Sequence, residues 1–182
     1  MTTPAAEPLS EDEVRWVIES FWTLDAGKAH LADFLPIMDD EFVVRAVDEN
    51  GNEVARFEGL AGIEDHQDGK MDFFDEAFQL DTFQITEPGL AVVVHTTATW
   101  TFRHRAPRAA TSEICVADLA HEWQVRRHPV RLTAVMTGHT CTRFDFRPGQ
   151  APSAATGRQA VKQSSVDLHL DPEALMRPDP RG

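Results

Sequence analysis

The sequence predicts an α+β fold, in which three helices and a small hairpin precede three long antiparallel strands. Two patterns carry this prediction. Near the N-terminus apolar residues recur every three or four positions, which is typical of helices, whereas from residue 73 to residue 146 they alternate with a period of two. The chain has 182 residues, of which 42% are hydrophobic, so it can form one domain with a sizeable core.

The first helix is predicted to begin at Ser10, because Ser10-Glu11-Asp12-Glu13 has the form of a capping box with an acidic first turn. Gly27 is a natural stop for this helix. Its apolar stripe consists of Val14, Val17, Ile18, Phe21 and Trp22.

A second, short helix is expected from about Lys28 to Leu35, limited by Pro36. Its buried side should carry Leu31, Phe34 and Leu35.

A hairpin is predicted next, because Asn50-Gly51 favours a tight turn with positive φ between two short apolar runs. These runs are Glu41 to Val47 and Glu53 to Phe57. A third helix, Ala61 to about Gln67, then carries His66.

The remaining strands are long. Phe73 to Ile85 and Leu90 to Arg103 form two of them, and Glu113 to Phe146 forms a hairpin that turns at Arg127-His128-Pro129. The inward face of the strand after Glu113 collects Cys115, Ala117, Leu119, His121, Trp123 and Val125. The same alternation places His95 and His139 on outward faces, although Gly138 is a place where a strand can bulge.

The composition divides the chain into three parts. Residues 1–9 are expected to be a flexible N-terminus, and residues 10–148 a single domain. Residues 149–182 are rich in Ala, Ser, Gly, Gln and Pro, a composition that favours a mostly disordered tail.

The charge balance argues against some partners. Lys and Arg number 17 against 30 Asp and Glu, for a formal charge of −13, so we expect neither nucleic acid nor an anionic membrane surface as a partner. No apolar run reaches the roughly 18 residues of a membrane span. Cys115 and Cys141 have no CxxC spacing and no signal-peptide pattern is visible, so we expect a cytoplasmic protein.

Motifs for metals and cofactors are lacking in the sequence. No HxH, HxxxH or HExxH spacing exists, and neither GxGxxG nor GxxxxGK occurs, so we expect no metal and no cofactor. Tyr is also absent. An acid or a base must therefore come from His, Asp, Glu, Lys, Cys or water.

The order of elements from Leu9 to Pro148 resembles the nuclear transport factor 2-like superfamily, including its polyketide-cyclase-like (SnoaL-like) branch. Three stretches carry the resemblance locally: the helix Val14 to Leu24, the passage FEGLAGI at 57–63, and LAHEWQV at 119–125. The resemblance implies a strongly curved antiparallel sheet that wraps around the three helices as a cone. It further implies an apolar pocket at one end and a homodimer through the outer sheet surface.

His66 and His121 are the candidate catalytic residues, because a helix and a strand would bring two imidazoles to such a pocket as acid and base. A histidine satisfied in the core, or one meeting solvent at a helix end, is the alternative for each. The expected ligand is a hydrophobic small molecule in a pocket of roughly 300–1,000 Å³. Its candidate binding residues are Trp22, Phe34, Phe78, Trp100, Trp123 and Met136.

The function predicted from these features is a cofactor-independent enzyme of the dehydratase, isomerase or cyclase type, acting by histidine-based proton transfer. The alternative is a non-catalytic binding or dimeric assembly module of the same fold. An epoxide-hydrolase-like site would need Arg45 with Asp40 or Asp118, and is a lesser alternative. The ketosteroid-isomerase-like pattern requires a Tyr that the chain lacks.

Overall fold

The computed structural model describes residues 7–105 and 108–153 and confirms the α+β prediction. Helices α1 and α2 span Glu11–Ala26 and Gly59–Asp68, and a 3-10 turn spans Leu31–Phe34. The strands are β1 Met38–Val47, β2 Glu53–Glu58, β3 Phe73–Ile85, β4 Ala91–His104, β5 Glu113–Arg127 and β6 Ala134–Phe146.

The six strands form one open sheet in the order β2-β1-β6-β5-β4-β3. All neighbours are antiparallel except β1 and β6, which run parallel and join the small hairpin to the long strands. Helix α1 contacts both β3 and β6, although β4 and β5 lie between them in the sheet. The sheet therefore curves around the helix, as a cone requires.

The first helix has the predicted capping box. The backbone N–H of Glu13 donates to Ser10 Oγ (3.2 Å), and the backbone N–H of Ser10 donates to the Glu13 carboxylate (2.9 Å). The helix ends at Gly27, and the chain then turns through Lys28, whose φ is 47°.

The second helix is much shorter than predicted. Only one 3-10 turn forms, Leu31–Phe34, and Leu35, expected to be buried, is 48% exposed. The left-handed backbone at Lys28 and the ring of Pro36 leave too few residues between them for a stable α-helix. Phe34 is nevertheless fully buried, so the turn still anchors this segment to the core.

A bulge in β6 changes the direction of His139. Val125 pairs with Met136 but Gln124 pairs with Gly138, so Thr137 is an extra residue. The prediction that His139 faces outward was therefore wrong: it is 5% exposed and stacks on Trp123, with ring centroids 4.0 Å apart. Gly138 leaves room for the Gln124 side chain at the bulge, since an added Cβ would lie 3.0 Å from the Gln124 side-chain oxygen. His95 is exposed, as predicted.

The described ends of the chain are attached to the sheet. Leu9 is buried and its N–H donates to the carbonyl of Gly89 (2.8 Å). After β6, the N–H of Ser153 donates to the Glu113 carboxylate (3.0 Å). Residues 1–6 and 154–182, on which most of the predicted flexible termini fall, lie outside the described residues. Within the described ranges, no helix has the length and apolar character needed to cross a membrane.

Candidate active site

A small cavity lies between α1, α2 and the concave face of the sheet. It is lined by Phe21, Trp22, Asp25, His66, Lys70, Phe78, Trp100, Leu119, His121, His139, Cys141 and Phe144. Both candidate catalytic histidines and three of the six candidate binding residues are among them. The other three, Phe34, Trp123 and Met136, do not line it and are fully buried in the core.

The cavity is much smaller than the sequence led us to expect. Its volume is about 40 Å³, which holds water-sized molecules rather than an organic ligand. Trp22 and Phe78 also line an open groove of about 670 Å³. These two side chains therefore form the wall between the groove and the cavity.

A buried carboxylate, Asp25, stands at the centre of the polar side of the cavity. It occupies the apolar stripe of α1, one turn beyond Phe21 and Trp22, and is 3% exposed. Its Oδ1 lies 3.1 Å from His66 Nε2, and its Oδ2 accepts a hydrogen bond from Lys70 Nζ at 2.6 Å. Helix α2 and the turn after it supply both partners.

Glu76 is the second buried carboxylate of this network. Its side chain has no exposed surface and accepts from Lys70 Nζ (2.9 Å), Trp100 Nε1 (3.2 Å) and Lys28 Nζ (3.2 Å). The irregular start of β3, where the pairing with β4 shifts between Phe74 and Ala77, turns this residue towards the lysines.

Mutual pairing favours the charged forms of Asp25 and Lys70. Burial alone would raise the pKa of Asp25, but Lys70 and His66 hold that pKa well below its usual range. Burial would likewise lower the pKa of Lys70, but Asp25 and Glu76 raise it above its ordinary value. Lys70 is therefore a permanent ammonium group, and the two carboxylates balance the charges of Lys70 and Lys28.

His121 faces this network from β5 as a neutral imidazole. It is 5% exposed, and burial lowers its pKa from 6.5 to about 3. Its Nδ1 is buried and has no hydrogen-bond partner within the described part of the chain. The ring lies beside His139, with centroids 4.6 Å apart, and edge-on to Trp22 at 5.9 Å.

The structural comparisons identify the architecture. A provisionally assigned aromatic ring hydroxylase from Novosphingobium aromaticivorans is 12% identical, with 74% of this chain and 91% of that chain covered and a TM-score of 0.57. An NTF2-like superfamily protein from Salmonella enterica is 14% identical, with coverages of 72% and 88% and a TM-score of 0.56. A cystatin-like-fold protein of unknown function from Nostoc punctiforme is 11% identical, with coverages of 82% and 97% and a TM-score of 0.53.

This chain has the nuclear transport factor 2-like fold. The fold that the resemblance implied is thereby confirmed, and at these identities the likeness extends to the fold alone. No family model and no curated protein matches the sequence.

Within the nuclear transport factor 2-like cone, the acidic, basic and imidazole side chains at the cavity that were not predicted are Asp25, Lys70, Glu76 and His139. Asp25 had a signal in the sequence, since it follows Phe21 and Trp22 by four and three positions and so falls on the buried stripe. Lys70 and Glu76 lie in a turn and at an irregular strand start, where no periodicity applies. His139 depended on the bulge.

The alternative set of Arg45 with Asp40 or Asp118 does not come together at the cavity. Asp118 instead pairs with Arg147 on the outer face (2.8 Å), and Asp40 is exposed. In residues 7–105 and 108–153, no group of three or more His, Cys, Asp or Glu side chains could hold a metal ion.

The depressed pKa of His121 predicts a loss of stability in acid. Below pH 6.5 the unfolded chain binds a proton on His121 that the folded protein does not, until the pH approaches 3. The stability contributed by the neutral ring is thus present above pH 6.5 and falls by at most about 1.4 kcal/mol per pH unit in that window. Urea unfolding at pH 7 and pH 5 should show a smaller decrease for His121→Asn than for the wild type. Equal decreases would contradict the assignment.

Proposed function

We propose that the protein is a cofactor-independent enzyme that moves a proton on a hydrophobic small molecule, in a reaction of the dehydratase, isomerase or cyclase type. One observation carries the proposal: an Asp25–His66 pair and the unpartnered His121 Nδ1 line the same aromatic-walled cavity. A carboxylate that orients an imidazole is a common arrangement for a general base.

His66 is assigned as the base and Asp25 as its positioning residue. His66 is assigned to take a proton from carbon, while Asp25 Oδ1, 3.1 Å from its Nε2, orients the ring. Asp25 then stabilises the imidazolium that results. His121, neutral at physiological pH, is assigned to hydrogen-bond the substrate and to exchange a proton with it.

Lys70 is assigned to stabilise negative charge. An ammonium group has three donors, of which Asp25 and Glu76 occupy two, so one remains for a substrate oxygen. Removal of a proton next to a carbonyl group places charge on that oxygen as an enolate forms. A fixed ammonium group in a dry site stabilises such charge strongly.

Deuterium exchange tests the proposal without knowledge of the natural substrate. Aryl ketones and cyclic enones are incubated with the protein in D₂O, and loss of the signals of protons next to the carbonyl is followed by ¹H NMR. We expect protein-dependent exchange of at least one compound, in proportion to protein concentration. Exchange at the rate of buffer alone, for compounds shown by calorimetry to bind, would contradict the enzyme proposal.

The non-catalytic module is the second candidate, and the small volume of the cavity favours it. Such a module would bind members of the same panel and exchange none of their protons.

We also propose a homodimer through the outer face of the sheet. This face is polar and ordered by cross-strand hydrogen bonds, such as Thr82 to Thr97 (2.7 Å) and Thr99 to Asp81 (2.8 Å), which suits a pre-formed interface. Sedimentation at micromolar concentration should give twice the chain mass of 20.3 kDa. A species of the single-chain mass would rule the dimer out at that concentration.

A further inference from the structure

Phe78 occupies an unusual position among the aromatic side chains of the cavity. Its ring stacks on Trp22, with centroids 5.4 Å apart and planes 3° apart, and also on Trp100, at 5.8 Å and 10°. It is partly exposed, and it lines both the small cavity and the larger groove. With Trp22, this flat ring thus lies between the candidate catalytic groups and the groove, and it stacks on two indoles.

We propose that the Phe78 ring occupies the position in which the substrate binds. A flat, uncharged, conjugated carbonyl compound displaces this ring and stacks on Trp22 and Trp100 instead. The proposal rests on the proposed function for the location of the site, but it concerns binding and does not require turnover. It accounts for a cavity of only about 40 Å³ beside a groove of about 670 Å³, since displacement of the ring would connect the two.

The contacts of Phe78 indicate a flat ligand. Near-parallel stacking on two indole faces is a geometry that another planar π-system can adopt, whereas a puckered saturated ring cannot lie flat on either face. The backbone at Phe78 can also yield. It belongs to β3, an edge strand of the sheet, and the pairing with β4 is irregular on both sides, between Phe74 and Ala77 and between Leu80 and Thr82.

The charges around the cavity indicate an uncharged ligand. Asp25 and Glu76 are balanced by Lys70 and Lys28, so an ionised ligand would bring an unpaired charge into a buried site. Asp25 Oδ1 faces His66 Nε2 at 3.1 Å, while one N–H of Lys70 and Nδ1 of His121 have no hydrogen-bond partner within the described residues. These two groups suit a carbonyl oxygen, which accepts hydrogen bonds and carries no charge.

Three compounds with the same fused bicyclic framework test the ligand class: 2-acetylnaphthalene is flat and neutral, 2-naphthoate is flat and anionic, and 2-acetyldecalin is neutral but not flat. Isothermal titration calorimetry should show binding of 2-acetylnaphthalene at least about tenfold tighter than binding of either other compound. Equal affinities, tighter binding of the anion, or no binding of 2-acetylnaphthalene would each overturn the proposal.

Phe78→Ala tests whether the ring holds the place of the ligand. Removal of a ring that must be displaced increases the fraction of binding-competent protein, so 2-acetylnaphthalene should bind Phe78→Ala about tenfold tighter than wild type. Phe78→Leu keeps more of the packing and should show a smaller gain in the same direction, should the alanine variant not fold. Phe83→Ala, on the same strand but outside the cavity lining, is the matched control and should bind as wild type does.

Unchanged or weaker binding by the folded Phe78 variants would show that Phe78 only lines the pocket and is not displaced by the ligand, and would overturn the proposal. The result is separate from the proposed function. Tighter binding by Phe78→Ala without deuterium exchange supports the ligand class and contradicts the proposed enzymatic function. Deuterium exchange without tighter binding supports the enzymatic function and contradicts the displacement of Phe78 by the ligand.

Discussion

Replacement of Asp25 by Asn is expected to lower the free energy of unfolding by about 3–5 kcal/mol, because it removes one charge from a buried ion pair. Lys70 is 2% exposed and would keep only Glu76 as a charged partner. Urea unfolding at pH 7, fitted to a two-state transition, measures the change.

Two comparisons show whether burial causes that loss. Glu11→Gln breaks an exposed pair with Arg15 and should cost no more than about 0.5 kcal/mol. In the double variant Asp25→Asn/Lys70→Met, the ammonium that has lost one of its two carboxylates is gone and Glu76 keeps Lys28, so part of the lost stability should return. A loss in Asp25→Asn as small as that in Glu11→Gln would mean that the network is not buried in solution.

The second large effect is expected on catalysis. His66→Gln should reduce the rate of deuterium exchange by about 10²–10⁴, because a side-chain amide can hydrogen-bond to Asp25 but cannot take a proton from carbon. The rate is followed by ¹H NMR with the compound that the wild type exchanges fastest.

His95→Gln makes the same chemical change at an exposed position outside the cavity lining and should leave the rate unchanged. If folded His66→Gln exchanged protons within about twofold of the wild-type rate, another group would be the base.

Much of the fold was predictable because periodicity and turn chemistry are local. The capping box at Ser10 set the start of α1, and Asn50-Gly51 located the first hairpin. The alternation from Phe73 to Ile85 gave the bounds of β3. The same alternation placed His121 on the concave face, where the structure has it.

The features that local patterns could not predict come from pairing between distant segments. The parallel contact of β1 with β6 has no sequence signature. The bulge at Thr137 reversed the direction of His139, and a one-residue change of register reverses every later side chain. Lys70 and Asp25 are 45 positions apart, so their ion pair forms only once α2 packs beside α1.

The central claim is that the buried histidines of the cavity take part in proton transfer and do not merely pack in the core. His121→Asn tests it most directly when stability and deuterium exchange are measured on the same sample. Because Nδ1 of His121 has no hydrogen-bond partner within residues 7–105 and 108–153, the account predicts a free energy of unfolding at pH 7 within about 1 kcal/mol of the wild type, together with at least about a hundredfold slower exchange. A loss of about 1–3 kcal/mol of stability with exchange at the wild-type rate would show that His121 is a core residue and would contradict the account.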